Sequence, residues 1–232
     1  MTYLQKLPFP IASVAIAIGA VLAAPMPVLA QRSPTLFKRP LPADITPRVQ
    51  PFQCGDFTGH FGPIDYRSAD PRDRQNVETN HFEMEFGTFL QGRVEGPNRA
   101  GTGAVSGGFQ YTLKAFPNHP VALKVMEELG RRLKSEQPQG TMYPLECWYV
   151  RAFMTVPDDP IVRAMYGIYL SYRGRGPEAL HNLEIADAGL RYSRTMQYLI
   201  ADARIRSKNY EGGQLNGMRA ARLGFPGDKI EK

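Results

Sequence analysis

Hydrophobic positions change character in stages along the chain. A near-continuous apolar run of 14 residues extends from Ile11 to Ala24 and is stopped by Pro25 and Pro27. Residues 31–53 show no period and carry Pro34, Pro40, Pro42, Pro47 and Pro51 among Arg, Lys, Ser and Thr. Each proline removes a backbone donor and restricts the residue before it, which predicts a mostly extended linker. From 54 to 108 the chain is rich in Gly, Asp, Asn and Pro, with short apolar groups at Phe57–Phe61 and Phe82–Leu90. The stretch from His81 to Leu90 first alternates and then runs apolar, so strand and helix compete, and a short helix ending near Gly92 is expected. Gly96 to Gly108 reads as a loop, and residues 54–108 as an irregular segment packed on the helices of the second half.

Helical spacing takes over from Phe109. Val121, Leu123, Val125, Met126, Leu129 and Leu133 recur on one helical face behind Pro120, a residue suited to a first turn. Pro160 opens a second helix with Ile161, Val162, Met165, Tyr166, Tyr169 and Leu170. Gly174 and Gly176 break it, and Pro177 to Ala188 supplies a partner helix with Ala179, Leu183 and Ala186. A shift of roughly 34 residues, the period of one repeat class, carries Gly167 to Ala201, Ala179 to Gly213 and Ala186 to Ala220. Small residues thus fall on small residues, where paired helices must approach closely. The backward shift carries Ala186 to Ala152 and Leu183 to Tyr149. Pro117-Asn118-His119-Pro120 parallels Pro157-Asp158-Asp159-Pro160, and extra residues between the two fit best at Ser135 to Thr141.

With Tyr166-Gly167, Gly174, Ala179, Leu183 and Ala186 so placed, residues 109–225 resemble tetratricopeptide repeats. The resemblance implies a mostly α fold: antiparallel helical hairpins of α-solenoid type over 109–232, with an irregular N-terminal segment. Leu170 and Arg204 stand where the family has an aromatic, so the last repeat is expected to be a capping hairpin. Cys54-Gly55, Gly62-Pro63-Ile64-Asp65-Tyr66, Tyr111 to His119 and Glu146-Cys147-Trp148-Tyr149 together resemble a group of exported proteobacterial repeat proteins, a likeness that brings no activity with it.

The N-terminus bears on compartment. Lys6, the apolar run and the small-residue end Val28-Leu29-Ala30 have the form of a signal peptide over residues 1–30, cut at the Ala30–Gln31 bond. A run of 14 residues is short of the roughly 20 a spanning helix needs. Periplasmic or secreted residence is therefore expected. Of 232 residues, removing 30 leaves 202, enough for one domain with a real core, and the loss of Lys6 lowers the formal charge from +6 to +5. That mild excess favours peripheral contact with an anionic membrane surface. Without a dense Lys/Arg tract, and with export, a nucleic-acid partner is not expected. Cys54 and Cys147 are expected to form a disulfide that clamps the N-terminal segment to the helices, with buried thiols or a reactive thiol as alternatives.

Ligand positions follow from the tetratricopeptide resemblance, whose groove is lined by the first helix of each pair. They fall on Lys124, Glu128, Arg131 and Arg132, then on Ala164, Ile168, Ser171 and Tyr172, and then on Tyr198, Asp202 and Arg206. Arginine forks and tyrosine rings suit peptide or carboxylate recognition, and the expected function is a non-enzymatic interaction or scaffold protein that holds a peptide, protein or cell-envelope component in this groove. The competing view is that Glu128, Arg131 and Arg132 form a solvated face of ordinary helical ion pairs. Tyr166 and Tyr169 match inward positions and are assigned to the core. His60, His81, His119 and His181 show no metal-ligand spacing, and His119 suits a turn or helix cap. Neither metal nor cofactor is expected. Gly-x-Ser-x-Gly, a Walker-type glycine loop and His-Glu-x-x-His are absent. The alternative function is an envelope enzyme, or an enzyme accessory, with Asp56, His60, Asp65 and His81 as its site. The turn chemistry of Gly55, Asp56, Gly62, Pro63 and Asp65 explains the same residues without catalysis.

Overall fold

Proline placed directly after a capping side chain starts several helices of this chain. The structure, a computed structural model, describes residues 39–57, 61–96 and 103–226. The expected signal peptide, its Ala30–Gln31 bond and His60 lie outside the described residues. The protein is mostly helical, with no β-strand among the described residues. In chain order come α1 (Pro71–Val77), a π-helical stretch (Glu78–Phe82), α2 (Glu83–Leu90), α3 (Ser106–Ala115), α4 (Pro120–Leu133) and α5 (Leu145–Thr155). They are followed by α6 (Pro160–Tyr172), α7 (Gly176–Gly189), α8 (Arg194–Arg206) and α9 (Tyr210–Arg222).

The starts of α4 and α6 show the shared logic. His119 Nδ1 accepts the Ala122 N–H at 3.0 Å ahead of Pro120, and Asp159 Oδ1 accepts the Ile161 N–H at 2.8 Å ahead of Pro160. Each cap satisfies an orphan donor of the first turn while the proline fixes φ. The pairing of α6 with α7 depends on absent side-chain volume. A Cβ on Gly167 would lie 2.8 Å from Leu183 Cγ and 3.1 Å from the Ala179 carbonyl oxygen. In α9, a Cβ on Gly213 would lie 2.5 Å from Ile205 Cγ1 of α8 and 3.1 Å from the Ala201 carbonyl oxygen. Residues matched by the 34-residue shift therefore sit where neighbouring helices touch.

Helix α5 is buried on every side, from Leu145 through Thr155. Its aromatic residues Trp148, Tyr149 and Phe153 join Phe109, Leu123, Met126 and Tyr166 in the main core. The remaining side is covered by residues 39–57, so the later part of the proline-rich segment is a docked strap rather than a free linker. The Arg39 N–H donates to the Met154 carbonyl at 2.6 Å, and the Arg48 N–H to Glu146 Oε2 at 3.0 Å. Asp44 pairs with Arg163, and the Thr46 carbonyl accepts from Arg175 Nη2 at 2.9 Å. The strap ends in the Cys54–Cys147 disulfide, with Cα atoms 5.0 Å apart. Beside it, Arg151 Nη1 donates to the carbonyls of Cys54 (2.9 Å) and Asp56 (2.7 Å).

Residues 54–108 are more regular than expected. Asp70 caps α1, and the helical path runs through the π stretch into α2. The π turn widens the interval between the buried residues Val77 and Phe82 to five positions, which hides the ordinary helical period. The expected helix near Gly92 is present as α2. The expected loop from Gly96 to Gly108 is shorter, because α3 begins at Ser106. Gly108 of α3 serves contact rather than looseness: a Cβ there would lie 1.8 Å from the His81 carbonyl oxygen.

Two outcomes test the strap. Cys147→Ser should lower the unfolding free energy in an oxidised preparation by up to about 4 kcal/mol, because the bridge closes a long loop. Equal denaturant midpoints for variant and parent would show that the bridge adds nothing to stability. The Arg163 guanidinium lowers the Asp44 carboxyl to about 2 despite opposition from burial, with His181 as a further donor. Asp44 thus adds stability above its unfolded value of 3.8, and this is lost as pH falls through about 2. Asp44→Asn should cost roughly 1 kcal/mol at neutral pH, a value reduced for solvent screening. The difference between variant and parent should shrink in acid, and a difference constant with pH would refute the assignment.

Candidate functional site

Three helices each contribute one row of side chains at helical spacing to a common pocket. Lys124, Glu127, Glu128 and Arg131 come from α4, opposite its buried stripe of Leu123, Met126 and Leu129. Met165, Ile168 and Tyr172 come from α6, and Leu199 and Asp202 from α8. Tyr149 of α5 closes the lining, and the pocket encloses about 50 Å³. Helix α6 packs against both α4 and α8, which sets the three rows side by side.

Charged groups around the pocket are heavily paired. Glu128 accepts from Arg132 Nε at 2.9 Å and also pairs with Arg131. Burial pushes the Glu128 carboxyl up, but these two guanidinium groups outweigh it and hold the group below its ordinary range. Arg206 pairs with Asp202 and donates to Ser171 Oγ at 2.9 Å. The guanidinium carbons of Arg131 and Arg206 lie 4.3 and 3.7 Å from the centroid of the Tyr172 ring. Such cation–π contacts gain strength as they are withdrawn from water. Burial is also the main reason the Tyr172 hydroxyl is raised above its ordinary value.

Lys124, Glu128, Arg131, Ile168, Tyr172 and Asp202 therefore line one pocket, with Arg206 and Ser171 adjoining it. Ala164 is fully buried. Two further expected groove positions do not themselves line this pocket. Arg132 extends over the Phe89 ring of α2 at 4.3 Å, and Tyr198 stacks on Phe225 at 4.2 Å. In each case an aromatic ring takes the side chain, Phe89 of α2 for Arg132 and Phe225 after α9 for Tyr198. Glu128 does pair with Arg131 and Arg132 at i,i+3 and i,i+4 spacing, the geometry of ordinary helical ion pairs.

A larger cavity of about 340 Å³ lies between the strap and the end of α6, lined in part by Arg48, Glu136, Glu146, Tyr169, Arg173 and Arg175. Glu146 Oε1 accepts from the Tyr166 hydroxyl at 2.8 Å and from Arg175 Nη1 at 2.5 Å. Arg173 Nη1 donates to Glu127 Oε1 at 2.8 Å and its Nε to Glu136 at 2.9 Å, so one guanidinium joins the two cavities. Sequence reasoning missed these residues. Glu136 lies in the inserted segment, and Arg173 and Arg175 flank the glycine that breaks α6. No period connects them.

Of Asp56, Asp65 and His81, only His81 lines one of the three cavities described. Asp65 accepts from Arg67 and Asn118 at a turn, and Asp56 offers its carbonyl to Arg151. His81 stacks on Tyr111 at 3.6 Å and lines a cavity of about 170 Å³ with Asn76 and Asn80. Burial pushes the His81 imidazole below its ordinary value. His119 is the cap of α4, with Nε2 directed at Glu78. Tyr166 and Tyr169 lie in the core as expected. Among the described residues no cluster of three His, Cys, Asp or Glu side chains is arranged to hold a metal. No helix among the described residues is long and apolar enough to cross a membrane. No protein-family model, curated protein or solved structure matches the chain.

Arg175 and Glu146 are each 4% exposed and depend on one another. Arg175→Met should destabilise the protein by about 3–5 kcal/mol, since it strands a buried carboxylate. A loss below about 1 kcal/mol in denaturant unfolding, the range of surface pairs, would show that Glu146 finds another partner.

Proposed function

We propose that the protein is a non-enzymatic interaction module of tetratricopeptide-like helical-hairpin type, which holds a segment of a partner in the groove across α4, α6 and α8. The observation that supports this most directly is the shared pocket of Lys124, Glu128, Arg131, Ile168, Tyr172 and Asp202. An apolar floor under a charged rim suits an anchor side chain with polar groups around it. The partner is a protein, peptide or other envelope component, and the signal-peptide-like N-terminus supports a periplasmic or secreted setting. The net positive charge favours an additional peripheral contact with anionic lipid. The rival reading, an envelope enzyme or accessory with its site at 54–108, gains little from Asp65 and His81, which are engaged with Asn118 at a turn and with the Tyr111 ring.

A photo-crosslinking residue at position 124 in intact cells tests the proposal, with Tyr192, 87% exposed, as the control position. One dominant envelope adduct should form from position 124 and not from 192. Tyr172→Ala should weaken that adduct about tenfold, as loss of an interface anchor does, and Ile168→Glu should abolish it. An adduct indifferent to both substitutions would overturn the groove reading. The same sample gives the mature mass, which should correspond to a chain starting at Gln31.

A further inference from the structure

The last helix among the described residues turns a mixed stripe of side chains away from the core. Helix α9 packs on α8 and buries Gly212, Gly213, Asn216 and Ala220. On its opposite side lie Glu211, Leu215, Met218 and Arg222, all exposed, with Leu215 at 52% and Met218 at 50%. Steps of four, three and four residues keep these side chains on one narrow face of the helix. The same steps form the seam of a two-helix coiled coil, where each seam residue meets a seam residue of the other helix. Apolar residues scattered singly over a surface need no explanation. Here two occupy adjoining places in one seam, with a charge of opposite sign at each end.

The order of the stripe identifies what covers it. Glu211 lies four residues before Leu215, and Arg222 lies four residues after Met218, so the stripe is symmetric about its middle in spacing and opposite in charge. A second copy laid antiparallel about a two-fold axis therefore sets Leu215 against Met218 and Glu211 against Arg222, each contact made twice. A parallel copy would oppose like charges at both ends. The charged ends are not committed within the molecule. Arg219 of the same helix pairs with Asp187, whereas Glu211 and Arg222 join no ion pair among the described residues. We infer that α9 pairs antiparallel with α9 of a second copy, with Leu215 and Met218 at the centre of the contact and a Glu211–Arg222 pair at each end. The stripe faces away from α8, so the bodies of the two copies fall on opposite sides of the contact. No residue of α9 lines the pocket of α4, α6 and α8, and the inference is independent of the groove reading. A helix of 13 residues is about 20 Å long, so one such pair buries less than the roughly 1,200 Å² of a stable interface. The dimer is accordingly a weak one, with dissociation on the order of micromolar.

Sedimentation equilibrium of the purified protein, its disulfide intact, should show monomer passing into dimer between about 1 μM and 1 mM. Glu211→Arg sets like charges together at both ends and should weaken the dimer about tenfold. Arg222→Glu should act alike. Both substitutions in one chain bring opposite charges back together in the antiparallel register, and the dimer should regain the strength of the parent. Leu215→Glu, at the centre, should leave monomer throughout. All three positions are exposed, so each variant should keep the circular dichroism of the parent and the losses are read on folded protein. A parent that stays monomeric over the whole range would overturn the inference. So would a dimer indifferent to Glu211→Arg, or single reversals that the double reversal fails to rescue.

Discussion

A helix of three turns that is buried all round cannot rest on neighbouring helices alone. Helix α5 is in that position, and its cover on the open side is a segment with no regular structure of its own over most of its length. Extended backbone is a difficult cover, because its N–H and C=O groups need partners once water is excluded. The chain meets this need with polar side chains rather than with a ladder. Arg151, Arg163, Arg175 and Glu146 reach from α5, α6 and the start of α7 to carbonyls, an N–H and a carboxylate of the strap. The many prolines of that segment then make sense, since each is one donor fewer to satisfy.

Those buried arginines link stability to the site. Arg175 and Glu146 hold the strap on one side of the tyrosine cluster, while Arg173 spans to Glu127 under the groove pocket. Tyr149, Tyr166 and Tyr169 fill the space between, with ring centroids 5.1 to 5.9 Å apart. Rigid rings in close contact give a floor that does not collapse when the pocket is empty. The pocket is thus built on the same core that the strap seals.

Much of the helical half was legible in the sequence because its signals are local. Pro120 and Pro160 mark starts through the geometry of one residue and its cap, and Gly167 and Gly213 mark contacts where a methyl group will not fit. The pocket rows on α4, α6 and α8 follow from the tetratricopeptide resemblance, not from a local signal of this chain. The features that could not be read depend on partners distant in sequence. Tyr198 and Arg132 follow the helical pattern of a groove position, but Phe225 and Phe89 take them elsewhere. The π stretch conceals its own period, and the Glu127–Arg173–Glu136 link crosses two helices and an insertion. The strap is proline-rich and reads as extended, yet its docking is set by arginines that no local pattern marks.

The strap also imposes an order in time. Residues 39–57 are synthesised well before the residues they cover, and their contacts reach forward to Cys147, Arg163, Arg175 and His181. The contacts to α5 itself can form once the chain has passed Thr155, and those to Arg163, Arg175 and His181 follow as each is made. The completed molecule is therefore closed by a part made early, and only after most of the chain exists.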